Sequence, residues 1–171
     1  MITKEKKVRA LQIAIPHYIE YLKLDFADHT QMVSEYSSNS NVPESDKSKI
    51  LAAINFHSTK MGEIDLDISD AKHMQFILAY TTKIYNEYGT EEGDLHFDEL
   101  LEDGRDSKFI SEIAESHFQM SMMDNYLSEE DLQNLLSYGI TLDEYNEILK
   151  SLCKKNVKVL EPNRSVIEHE E

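Results

Sequence analysis

An all-α fold is predicted for this 171-residue chain by three features of its sequence. Apolar residues recur at three- and four-residue spacing, five Gly and three Pro are too few for an all-β turn count, and no alternating run is long enough for a strand. The 40% apolar content, with six Phe and nine Tyr, suffices for a packed core in spite of a net charge of −16. The expected architecture is a single-domain bundle of about six to seven helices over residues 1–153. A C-terminal helical hairpin over 128–153 closes it, and residues 154–171 form an arm or flexible tail.

The first helix is expected from Lys4 to Tyr36, because Val8, Leu11, Ile15, Ile19, Leu22 and Phe26 share a face. Pro16 lacks an amide hydrogen and predicts a kink, or two consecutive helices. Ser37 to Asn41 reads as a loop. Pro43 opens a helix over 43–60 with Ile50, Leu51 and Ile54 on one side, and Gly62 is expected to end it. Ser69 is expected to cap the next helix, 69–88, whose stripe is Met74, Ile77, Leu78, Thr81, Ile84, Tyr85 and Tyr88. Gly89 closes that helix, since glycine enters the left-handed region freely.

An acidic connection follows, with one short helix from Phe97 to Glu102 before Gly104. Ser107 is the expected cap of a helix over 107–123 that turns Phe109, Ile110, Ile113, Ala114 and Met120 inward. Two compact helices then begin with capping boxes, Ser128 to Asp131 and Thr141 to Glu144, of which the second fits better because Glu is longer than Asp. The first buries Leu132, Leu135 and Leu136 and stops at Gly139. The second buries Tyr145, Ile148, Leu149 and Leu152.

The charge is uneven. Residues 1–60 carry a net +1 and residues 61–171 a net −17, and Glu87 to Asp106 hold nine acids against Arg105 alone. Such asymmetry marks a surface for a basic partner, whereas phosphate backbones demand Lys and Arg. The hairpin turn Tyr138-Gly139-Ile140-Thr141 has the outline of a DNA-binding helix-turn-helix. The second helix offers Asp143, Glu144 and Glu147 where base readout needs Arg, Lys, Asn or Gln, so an ordinary hairpin is expected and nucleic-acid binding is not.

Catalytic and metal signatures are scarce. No Glu-x-x-His or His-Glu-x-x-His motif occurs among the seven histidines; the nearest spacings are Asp25 with His29 and Asp70 with His73. No register around Gly93 or Gly104 supplies the oxygen ligands of a calcium loop. Cys153 is the single cysteine and lacks a nucleophile motif; no elbow or phosphate-cradling glycine loop is present. No cofactor is expected, and no apolar run reaches the length of a membrane span or a leader's core, which makes a cytoplasmic protein the default expectation.

These readings favour a non-enzymatic binding module of the inhibitor, immunity or adaptor type that docks a basic protein partner through its acidic half. The candidate partner-binding residues are Glu91, Glu92, Asp94, Asp98, Glu99, Glu102 and Asp103, joined by Met120, Met122 and Met123, because methionine adapts to a docked helix. The carboxylates of such a surface also stand where the phosphates of a nucleic acid would, so mimicry is part of this reading. The alternatives are a metal-binding bundle using the Asp/His pairs and a helical sensor of a small apolar ligand.

Overall fold

A computed structural model describes residues 1–38, 41–120 and 127–153. It is all-α: six α-helices and one short 3-10 turn, with no strand among the described residues. The helices are α1 (Lys4–Ser38), α2 (Lys47–Tyr88), α3 (Thr90–Glu102), α4 (Gly104–Met120), α5 (Glu129–Ser137) and α6 (Leu142–Leu152), and the 3-10 turn Glu44–Asp46 precedes α2. No described helix is long and apolar enough to cross a membrane.

Contacts divide the chain into two compact units. One comprises Met1–Tyr18 and the described residues from Met74 onward; the other is Ile19–His73. In the first, Val8, Leu11 and Ile15 of α1, Leu78 and Tyr85 of α2, Phe97 of α3, Ile110 and Ile113 of α4, and Tyr145, Ile148 and Leu149 of α6 are buried. Helix α4 packs on α3 and α6, and α5 on α6. The second unit is a helical hairpin made of the later part of α1 and the earlier part of α2.

Helix α1 runs through Pro16 as one helix; of the two outcomes expected there, a kink or two consecutive helices, the division does not occur. Pro16 lies on the exposed side while Leu11, Ala14, Ile15, Tyr18 and Ile19 around it are buried, so packing on both sides offsets the roughly 3 kcal/mol of a helical proline. Helix α2 is likewise one helix where two were expected. Gly62 does not end it and Ser69 does not start another. A helical glycine costs only about 1 kcal/mol, and the buried series Ile64, Ala71, Met74, Leu78, Thr81, Tyr85 carries a three-and-four spacing across the supposed gap.

The acidic stretch is also more helical than expected. Helix α3 begins at Thr90, separated from α2 by Gly89 alone, whose φ of 96° turns the chain. Helix α4 starts before Ser107, which is buried inside it. The cap is Asp103, whose carboxylate accepts from the amides of Arg105 and Asp106 at 3.0 and 2.9 Å. Both later capping boxes form, the Asp131 box as completely as the Glu144 box. Of the leucines assigned to α5's inner face only Leu135 is buried; Leu136 is 71% exposed.

Candidate functional site

Helix α2 carries two apolar faces near its C-terminus. Met74, Leu78, Thr81 and Tyr85 face the core, whereas Tyr80, Ile84 and Tyr88 form a neighbouring row at intervals of four. Phe76 continues that row by one turn. Phe76, Tyr80 and Tyr88 are 71%, 52% and 70% exposed; of the stripe expected on one face, Met74, Leu78, Thr81 and Tyr85 are buried, Ile77 and Ile84 are half-buried, and Tyr88 meets solvent.

The single-residue turn at Gly89 lays α3 beside this outer row. Gly93, Phe97 and Leu100 point α3 into the core. Its adjacent face presents Glu92, Leu95, His96 and Glu99 at intervals of three and four. Together the two faces line an open groove of about 350 Å³, to which Tyr80, Ile84, Tyr88 and Leu95 contribute apolar surface and Glu92 and Glu99 carboxylates.

His96 is fixed in the groove. The Thr81 hydroxyl donates to the Ile77 carbonyl at 2.9 Å, so it accepts from the His96 Nδ1–H, also at 2.9 Å. Tyr80 packs edge-on against the same imidazole, with ring centroids 5.6 Å apart. Glu92 and Glu99 add two carboxylates to the same lining.

The predicted acidic residues fall into groups with different work. Glu92 and Glu99 line the groove, and Glu91 and Glu102 are exposed on α3. Asp94 accepts from the Tyr85 hydroxyl at 2.7 Å, and Asp98 pairs with Lys4 at 2.9 Å. Burial raises the Tyr85 hydroxyl above its ordinary range, and the Asp94 carboxylate reinforces this. The hydrogen bond to Asp98 raises Lys4 likewise. Asp103 caps α4. Met120, placed among the surface candidates, is buried on α4 and belongs to the core; Met122 and Met123 lie outside the described residues.

No known family, curated protein or solved structure matches this chain.

The other candidates separate as follows. His29 lies 3.6 Å from Asp25, and its other nitrogen meets His57, a partner from α2 that local spacing did not reveal. His73 is 16 residues beyond His57 on α2, roughly 24 Å along the axis, so the Asp70/His73 pair does not join them. Among the described residues no three His, Cys, Asp or Glu side chains converge as a metal-ligand set. Burial, assisted by Glu115, pushes the Cys153 thiol up to about 11, and its sulfur bonds the Leu149 carbonyl, which suits a packed thiol rather than a nucleophile.

Proposed function

We propose that this protein is a non-enzymatic binding module of the inhibitor, immunity or adaptor type, and that the α2–α3 groove receives an amphipathic helix flanked by Lys or Arg. The observation that carries the reading is the exposed row Phe76, Tyr80 and Tyr88, with half-buried Ile84 within it, beside exposed Leu95 and the carboxylates of Glu92 and Glu99. Contiguous apolar surface with a polar rim is costly to leave in water and is characteristic of docking sites. Charge complementarity selects the occupant: the two carboxylates of the lining favour a donor-rich, cationic rim. An open groove also favours a helix over a small ligand, which needs most of its surface enclosed.

The reading is tested with the isotope-labelled full chain and two synthetic helical peptides sharing a leucine face, one flanked by Lys and the other by Glu. The Lys peptide is expected to shift the amide resonances of residues 80–99, more weakly as salt rises. That response should vanish in a Tyr80→Ser/Tyr88→Ser variant. Equal response to both peptides, shifts elsewhere, or no response to the Lys peptide overturns the proposal.

A further inference from the structure

We propose that the helical hairpin of the second unit holds a late first-row divalent metal ion, Cu²⁺ or Ni²⁺ by preference, between His29 of α1 and His57 of α2. The two Nδ1 atoms lie 2.7 Å apart, in direct hydrogen-bond contact between the two helices. In the metal-free chain the two rings share this hydrogen bond, and a metal ion replaces it. Two nitrogens in adjacent positions of a square-planar ion, each about 2.0 Å from it, stand about 2.8 Å apart. A tetrahedral zinc ion requires about 3.3 Å and so a wider parting of the rings.

The surroundings support this coordination. Metal-bound imidazoles commonly direct their second nitrogen to a carboxylate, and Asp25 lies one turn before His29 with Oδ1 3.6 Å from Nε2. That arrangement favours the tautomer with a proton on Nε2 and a bare Nδ1. The rings are held in place. Phe56 packs edge-on to His57 at 5.1 Å and to His29 at 6.4 Å, and Tyr36 lies nearly parallel to His57 at 6.2 Å. Lys60 sits over the Phe56 ring, 5.8 Å from its centroid, and is paired with Glu63 at 3.4 Å. His29 is half-buried, leaving access for water to complete the coordination sphere.

The pair bridges two helices 28 residues apart in sequence, so the ion staples the hairpin. The test titrates the untagged full chain with Cu²⁺ and Ni²⁺ in a weakly coordinating buffer, followed by calorimetry and by the paramagnetic resonance spectrum of copper. One ion per chain is expected, with a spectrum of two equatorial nitrogens and a melting temperature that rises with Ni²⁺ and falls back with chelator. His29→Gln and His57→Gln should each lose at least tenfold in affinity, whereas His73→Gln and His96→Gln should bind as the parent does. Asp25→Asn leaves both ligands in place and should weaken binding on the order of tenfold. Absence of binding, or binding indifferent to both His57→Gln and Asp25→Asn, overturns the proposal. Several ions per chain without dependence on these residues would mark adventitious surface binding and overturn it equally.

Discussion

The same substitution, glycine to alanine inside a helix, is predicted to act with opposite sign at two positions. Alanine is favoured over glycine in a helix interior by about 1 kcal/mol. At Gly62, exposed on α2, an added Cβ meets nothing within 4 Å, so Gly62→Ala should realise that gain. At Gly93 the same carbon falls on the ring of Tyr85, closer than carbon atoms tolerate. Tyr85 is 5% exposed and tied to Asp94 by a 2.7 Å hydrogen bond, so the ring has little room to retreat. Overpacking of this kind costs about 1–3 kcal/mol and displacement of a buried aromatic costs at least as much. After the propensity gain, Gly93→Ala should destabilise by about 1–2 kcal/mol. For a chain of this size 1 kcal/mol moves the melting point by about 2–4 °C. Gly62→Ala should therefore melt about 2–4 °C higher and Gly93→Ala about 2–8 °C lower, measured by far-UV circular dichroism. In a Tyr85→Ala background the clash is gone and Gly93→Ala should become neutral or stabilising. A Gly93→Ala protein as stable as the parent would refute the Tyr85 packing. A destabilised Gly62→Ala would refute the continuity of α2.

Stability should fall steadily as the solution is acidified, for reasons that can be separated. Burial holds His117 below its ordinary value of 6.5, only partly offset by Asn146. The unfolded chain therefore takes up that proton first and stability drops as pH falls through about 6.5. Burial pushes Asp131 up from 3.8, but hydrogen bonds from Ser128 and His17 outweigh it; the Thr141 amide, aided by Lys6, holds Glu144 below 4.5. Both boxes thus contribute above the ordinary carboxylate range and are lost as pH falls through the lowered values. His117→Gln should flatten the upper limb of urea midpoint against pH and Glu144→Gln the lower one, whereas Thr141→Ala, which removes the capping hydroxyl and keeps the amide, should cost about 1 kcal/mol near neutrality. A midpoint that rises on acidification would contradict both assignments. Glu99→Gln with Glu102→Gln should firm the fold slightly while weakening Lys-peptide binding, and a fall in melting temperature would show that these carboxylates are structural.

Local chemistry was the legible part of this fold. The boxes at Ser128 and Thr141 and the turns at Gly89 and Gly139 were readable because each is completed within a few residues. Continuity was harder. Gly62 and Ser69 resemble a stop and a start, and only the recurrence of Ile64, Ile68 and Ala71 at helical spacing argued that α2 runs on. The α4 cap was read one turn late: Asp103 offers the same cue as Ser107, and the choice depends on which residue the core takes. The groove was only half visible. Its acids were counted correctly as a dense region, but a helix with two apolar faces has the same periodicity as one with a broad face. The His29/His57 contact joins distant segments and has no local signature at all.

The position of the acids along α3 separates those the fold uses from those it does not. Glu91 and Glu92 occupy the first turn, where the exposed amides and the positive end of the helix dipole favour anions. Asp94 and Asp98 have partners in Tyr85 and Lys4, and Asp103 caps the next helix. Glu99 and Glu102 sit in the last turn, which contains no basic residue, so the dipole opposes them, generally by about 0.3–1 kcal/mol per charge near a helix end. Folding alone gains nothing from carboxylates at these positions. Glu99 nevertheless lines the groove, beside aromatic residues that are equally unused by the core. Charge set against the helix dipole and apolar surface left in water are two independent local costs. They meet in the same groove, and a cationic amphipathic helix relieves both at once.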